Sequence, residues 1–259
     1  MRVRLKGKKA VITGGGRGIG ASVAEELARQ GCEVVVAART LCQLEAVVEA
    51  IKSAGGVAHA VECDVTDPDS VAEMAMQAKE LMGSVHILVN NAGIASSAPL
   101  KSLTLQEWNR ILSVNTTGTY LCTQAFLPAM SDQKWGRVIN VASVAGQAGA
   151  KYISAYSSSK HAVIGFTRCI ALEVAPKGVT VNAVCPGYVD TDLTGETVDR
   201  IIEKTGMTEQ DAIESLARTN PQHRLIQPDE VAYLVLCLCD ERARGINGQA
   251  INIDGGGMA

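Results

Sequence analysis

Short runs of β-branched and small apolar residues alternate with helix-period segments along the whole chain, and this alternation constrains the fold more than any other feature. The runs are Lys9–Thr13, Glu33–Ala38, Val57–Glu62, His86–Asn90, Arg137–Ala142, Thr180–Val184 and Gln249–Ile253. Helical patterns lie between them at Gly18–Gln30, Gln43–Ala54, Pro68–Met82, Thr104–Met130, Ser154–Ala175 and Pro228–Cys239. Runs such as Val34-Val35-Val36-Ala37 are apolar at consecutive positions, as strands are when helices cover both faces of a parallel sheet. Right-handed crossovers then wind the chain into an α/β, doubly wound, mostly parallel sheet of about seven strands. Helix starts carry their own signals. Asp67-Pro68 offers an N-cap with proline at the first helical position, and Thr104 to Glu107 has capping-box spacing.

The 259 residues show no linker, repeat or charge block, so one domain over 1–259 is expected. With 25 glycines but only nine aromatic residues (Phe 2, Trp 2, Tyr 5), the core must be aliphatic, with close backbone approaches. A hydrophobic share of 47% excludes a disordered chain, and a net charge of −3 lacks the basic footprint of a nucleic-acid binder. No apolar run reaches the ~18–20 residues needed to span a bilayer. The opening M-R-V-R-L-K-G-K-K has no apolar leader, so a soluble, cytoplasmic chain with no membrane partner is expected. Eight cysteines form no C-x-x-C pair and do not cluster with the four histidines. They read as reduced, mostly buried thiols with no metal to hold.

One stretch breaks the rhythm. Residues 190–227 are polar and helical without a strand, with a helix expected near Glu209–Arg218. An insertion after the sixth strand falls on the side of the sheet where ligands bind, so it reads as a substrate lid, with surface decoration as the alternative.

The first strand runs directly into Thr13-Gly14-Gly15-Gly16-Arg17-Gly18-Ile19-Gly20 and then a helix. Glycines there let the backbone turn sharply and approach a pyrophosphate at the positive end of the helix. The G-x-x-x-G-x-G spacing differs from the usual G-x-G-x-x-G fingerprint. On these residues the chain resembles the short-chain dehydrogenase/reductase family in its single-domain, Rossmann-like form. It resembles 3-oxoacyl/3-hydroxyacyl reductases and polyketide ketoreductases, and the resemblance runs through nearly the whole chain. Thr13, Gly14, Gly16, Arg17, Gly18, Ile19 and Gly20 match the family's cofactor turn, and Asp64 with Val65 its adenine contact. Asn91, Ala92 and Gly93 match the segment after the fourth strand, while Pro186, Gly187, Val189 and Thr191 match the loop at the nicotinamide end. Asn115, Ser143, Tyr156 and Lys160 fall at its catalytic positions. The resemblance further implies that Lys160 holds the nicotinamide ribose, with Tyr156 beside it, and that Asn115 positions a water.

The residue types support such chemistry on their own. Tyr156 and Lys160 are four apart on a helix and so share a face. An ammonium beside a phenol favours the phenolate, which predicts a lowered tyrosine pKa. Tyr156 is then the proton donor to a carbonyl, or the base toward an alcohol. Ser143 can hydrogen-bond the substrate oxygen. Singly, the pair could be a solvated helix face and Ser143 a strand end.

Charge bears on the cofactor. The second strand ends Val36-Ala37-Ala38-Arg39-Thr40, with Ala38 where NAD-selective members carry an acid. Arg39, backed by Thr40 and by Arg17 in the turn, suits a phosphate, so NADP(H) is favoured and NAD(H) is the alternative. The substrate is expected to be a small-molecule ketone or secondary alcohol, with Ser143, Tyr152, Tyr156 and Tyr188 lining its pocket. The lid resembles those of 3-hydroxybutyrate dehydrogenases and aromatic-polyketide ketoreductases. The basic carboxylate-binding positions of the former correspond to Ala145 and Ile153, although Lys151 is near. A β-keto acyl thioester or similar bulky, neutral ketone is therefore the leading reading, and an NAD-dependent 3-hydroxyacyl-CoA or other alcohol dehydrogenase the alternative. From another class, a catalytically silent NAD(P)-binding regulator is disfavoured because Tyr156 and Lys160 are both present. Gly118, Ala125, Ala162, Gly165 and Cys169 put small and apolar residues on more than one helix face, and with the resemblance this predicts a homotetramer.

Overall fold

The computed structural model describes residues 5–258; the first four residues of the N-terminal stretch lie outside them. Seven strands form one sheet: β1 (Lys9–Thr13), β2 (Glu33–Ala38), β3 (Val57–Glu62), β4 (Ile87–Asn90), β5 (Gly136–Val141), β6 (Val179–Pro186) and β7 (Ala250–Ile253). Their order is β3-β2-β1-β4-β5-β6-β7, and every pairing is parallel. The chain winds outward from β1 in one direction, then returns to the centre and winds outward in the other.

Period-two alternation explains why the strands are apolar at every position. Ile12, Val34 and Val36 face a layer holding Val23 and Leu27 of α1 (Gly18–Arg29), Leu44 of α2 (Leu41–Ser53) and Val235 of α9 (Pro228–Cys239). Val11 and Val35 face the other layer, against Met74 of α3 (Pro68–Met82), Phe126 of α5 (Gly118–Asp132) and Val174 of α6 (Ser154–Val174). Each such Val, Ile or Leu contributes about 1.5–3 kcal/mol by leaving water, so neither face tolerates polarity cheaply.

Two caps behave as their residues suggest. The Asp67 carboxylate accepts from Asp69 N at 3.0 Å ahead of Pro68. Thr104 Oγ1 accepts from Glu107 N at 3.1 Å, but the Glu107 side chain turns to Arg110 (2.8 and 2.9 Å), so the box is only half made. The expected helix Thr104–Met130 is broken into α4 (Leu105–Leu112), a π turn (Ser113–Thr117) and α5. Apolar spacing runs through the break, which is why periodicity alone missed it.

The 190–227 stretch contains α7 (Asp192–Thr205), whose start had no apolar signal, and α8 (Glu209–Ala217), close to the expected position. Val198, Ala212 and Leu216 give these two helices a small core of their own. Five of the eight cysteines are buried, Cys42 and Cys169 are exposed, and Cys237 is half-buried. Among the described residues no three possible ligands group together as a metal site, and no helix is long and apolar enough to cross a membrane.

Candidate active site

Strand order reverses between β1 and β4, and doubly wound sheets bind ligands in the crevice beyond the strand ends at such a point. The glycine turn lies at this crevice. Gly18 adopts φ +53°, and a Cβ on Gly20 would fall 2.2 Å from the Gly14 carbonyl oxygen. Only glycines allow this backbone. Helix α1 starts at the turn with no side-chain cap on its first amides, which leaves a positive helix end aimed at the crevice. These features fit the pyrophosphate of a dinucleotide cofactor.

The turn is held from a distance. Thr13 Oγ1 accepts from Asn91 N and Ala92 N, both at 3.1 Å, and Asn91 Nδ2 donates to the carbonyls of Thr13 (3.0 Å) and Gly14 (2.9 Å). The side chains of Thr13 and Asn91 thus shape the turn, since both are engaged within the protein. Ile19 is half-buried and packs against the core. A Cβ on Gly18 would stand 3.1 Å from Thr191 Cγ2, so the loop after β6 closes over the same turn. Within that loop Val189 is buried and its carbonyl accepts from Thr194 Oγ1 at 2.5 Å. Gly187 lies against Asp254, just beyond the end of β7.

Just beyond the end of β3, Asp64 Oδ1 accepts from Thr66 N (2.9 Å) and Thr66 Oγ1 (2.8 Å). Burial raises its pKa, but these bonds and the nearby Arg39 charge together hold it below the ordinary value. Val65 is buried against Gly118. Arg39 and Thr40 are exposed at the end of β2. Arg17 is drawn toward α7: its guanidinium is 3.1 Å from Asp192 Oδ2 and 3.9 Å from Glu196 Oε1. The acidic start of α7 thus lies over the turn. All three side chains are half or more exposed (53%, 65% and 51%), so such pairs contribute roughly 0–1 kcal/mol and exchange readily.

The four catalytic candidates converge from β5, the π turn and α6. Ser143 follows β5 with extended backbone, and its Oγ accepts from Ala145 N at 3.1 Å. Tyr156 lies in the first turn of α6, with the Ser143 hydroxyl as its hydrogen-bonding neighbour. Lys160 is one turn on and 5% exposed; its Nζ donates to Val141 O at 2.8 Å and lies 5.8 Å from the Tyr156 ring centre. Gly93 brings the loop after β4 alongside, and a Cβ there would stand 3.3 Å from Asn115 Oδ1 and 3.5 Å from Lys160 Nζ.

Asn115 is buried, and its carboxamide is engaged in structure. Oδ1 accepts from Ile94 N (2.9 Å), while Nδ2 donates to Ile94 O (3.0 Å) and Ser159 Oγ (2.9 Å). Both amide hydrogens are used, so a water would have to meet its backbone or the remaining lone pair of Oδ1. The π turn makes this possible by rotating Asn115 inward.

The expected lowering of the Tyr156 pKa is not what the geometry gives. Burial pushes the phenol upward, with the Ser143 bond pulling it back in part. Burial also pushes Lys160 down, to about 8. Desolvation dominates, with the ammonium held in the buried wall by its bond to Val141 O. Tyr188, 40% exposed, is close enough to Tyr156 to act on its charge, whereas Tyr152 stands 60% exposed at the rim with φ +71°. Its carbonyl accepts from Ala98 N at 2.7 Å, which ties the loop after β4 to the segment before α6. Sequence reasoning missed Ile94, Ser159, Asp192 and Glu196, since each acts through a partner far away in the chain.

A reversed strand order, a glycine turn at the uncapped helix and a Ser–Tyr–Lys cluster beside it define a nicotinamide-dependent oxidoreductase of the Rossmann class. Comparison with known proteins identifies the family: the short chain dehydrogenase model matches residues 8–202, and the chain belongs to the short-chain dehydrogenase/reductases. It is 39% identical to a 3-oxoacyl-[acyl-carrier-protein] reductase of Aquifex aeolicus (strain VF5) over 99% of both chains. It is 36% identical to a D-beta-hydroxybutyrate dehydrogenase of Cupriavidus necator, covering 98% of this chain and 99% of the relative. Among solved structures, an actinorhodin polyketide ketoreductase crystallised with NADPH superimposes with a TM-score of 0.94 at 33% identity, over 97% of this chain and 98% of that one.

Proposed function

We propose that this enzyme is an NADP(H)-dependent ketoreductase that converts a β-keto acyl thioester, or a similar bulky and neutral ketone, into the secondary alcohol. The observation that carries the reading is the convergence of Ser143, Tyr156 and the buried Lys160 beside the glycine turn, with the Ser143 hydroxyl next to the Tyr156 phenol. Bound NADPH supplies the hydride. Ser143 hydrogen-bonds the ketone oxygen and Tyr156 gives it a proton, so charge developing there is neutralised as it forms. Lys160, whose ammonium lies in the wall next to Gly93, is placed to hold the nicotinamide ribose, and the segment 91–94 to support that end.

Arg39 at the end of β2, with no acid at Ala38, supports NADP(H) over NAD(H). Arg17 adds a second cation because its exposed pairs with the lid exchange at little cost. The small, half-buried Ala145 and the neutral Ile153 near the catalytic residues offer no cation for a free carboxylate, which favours a thioester over a small hydroxy acid. A panel of β-keto thioesters, β-diketones and simple ketones tests the reading directly. Turnover of a thioester with kcat/KM at least about tenfold higher for NADPH than NADH is expected, from roughly 1.4 kcal/mol of phosphate recognition. A preference for NADH would overturn the cofactor assignment.

The same reading takes the enzyme as a cytoplasmic homotetramer. Its support is the apolar surface of α5 and α6, where Tyr120 is 44% and Leu172 80% exposed. Light scattering at working concentration is expected to give four times the chain mass, and a monomer would refute it.

A further inference from the structure

The catalytic candidates sit on three separate segments, and one hydroxyl joins two of them, α6 and the π turn. Ser159 is wholly buried and lies between Tyr156 and Lys160 on α6. Its Oγ donates to the Tyr156 carbonyl at 2.7 Å and accepts from Asn115 Nδ2 at 2.9 Å. Asn115 in turn clasps both backbone groups of Ile94, the residue after Gly93. A continuous chain of bonds therefore runs from the first turn of α6 through the π turn to the loop beyond β4.

We propose that Ser159 is a positioning residue for catalysis: its hydroxyl locks the Asn115 carboxamide, which fixes the Gly93–Ile94 backbone relative to Tyr156 and Lys160. This rests on the ketoreductase reading above. Two physical facts give the hydroxyl this role. A carboxamide is free to rotate about its last torsion, and its orientation is set by the partners that both ends find. Without Ser159 Oγ, one Asn115 amide hydrogen has no acceptor in a buried site, and the cost of an unmade bond favours rotation to another arrangement. Rotation would release Ile94, and with it the wall 3.5 Å from Lys160 Nζ measured at the Gly93 Cβ position. Loosening a catalytic constellation in this way lowers turnover more than binding. Thr116 provides the control. Its Oγ1 donates to Ser159 O at 3.2 Å, so it bridges the same two segments without touching the carboxamide.

Ser159→Ala and Thr116→Val are compared with wild type in two measurements. The first is hydrogen exchange at the Ile94 amide, which needs neither cofactor nor substrate. The second is steady-state ketone reduction with NADPH, resolved into kcat and KM across pH 6–9. For Ser159→Ala, Ile94 exchange is expected to rise about tenfold and kcat to fall about tenfold, with KM for NADPH within about twofold. Thr116→Val is expected to remain near wild type in both. If Ser159→Ala leaves Ile94 exchange and kcat unchanged, or if Thr116→Val matches it in both, the proposal is overturned. Ser159→Cys, which keeps the volume but bonds weakly, carries the same comparison if the alanine variant does not fold. Failure of wild type to reduce any ketone would count against the ketoreductase reading alone, because Ile94 exchange still reports on the lock.

Discussion

Tyr156→Phe is expected to lower kcat for ketone reduction by about a thousandfold, within the 10²–10⁴ range of a positioned general acid. The substitution removes one oxygen and keeps the ring, so α6 and the crevice wall should hold their shape. NADPH affinity is expected to stay within about twofold, since the glycine turn and the end of β2 are remote from the phenol. Ser143 would lose its hydrogen-bonding neighbour but retain its bond from Ala145 N. The measurement is kcat and KM beside a direct binding titration with NADPH. Unchanged turnover would mean that the proton comes from elsewhere, and the mechanism would fall.

Lys160→Met is expected to abolish turnover and, at the same time, to stabilise the fold. Burial drives the Lys160 pKa from 10.5 to about 8, so holding its ammonium in place costs about 3 kcal/mol at neutral pH. Methionine has a similar shape without the charge. Loss of the bond to Val141 O offsets about 1 kcal/mol of the gain, leaving a net of roughly 2 kcal/mol. The pH dependence has a definite sign. The folded-state pKa is lowered, so between about 8 and 10.5 the unfolded chain binds the proton that the folded one has released, and this group's contribution to stability rises with pH. The advantage of the methionine variant is therefore full below pH 8 and fades by about pH 10.5. Denaturant melts of both proteins from pH 6 to 11 would show it as a shrinking difference. A constant difference across that range would contradict the buried-ammonium account.

The sheet was legible because its strands are apolar on both faces and their ends are marked by glycine, proline or charge. Val34 to Ala37 could scarcely be placed elsewhere, and β1 to β3 fall on the expected residues. The candidate catalytic residues were picked out by the family resemblance, and spacing added that Tyr156 and Lys160, one helical turn apart, share a face. Features that depend on distant partners left no such trace. The π turn at Ser113–Thr117 hides inside unbroken apolar spacing, and the partner that Asn115 meets there, Ile94, lies 21 residues earlier. Nothing near Arg17 in the sequence shows that α7 brings Asp192 against it, 175 residues on. The tyrosine pKa ran opposite to the sequence argument for a related reason. Spacing shows that a lysine is near, but not that its ammonium is turned to a backbone carbonyl in a buried wall.

The position of β1 in the sheet also governs the timing of assembly. Synthesis delivers β1 and β2 early, yet β1 lacks its second neighbour until β4 has been made. The glycine turn waits as well, because Thr13 Oγ1 finds its donors only at Asn91 and Ala92, 78 and 79 residues later. A fragment ending before β4 would present an apolar strand edge and an unshaped turn to its surroundings. Distant parallel pairings of this kind slow folding, since chain closure precedes the contacts that reward it. What looks on paper like a compact motif of eight residues, Thr13 to Gly20, is in the growing chain one of the later parts of the first half to take form.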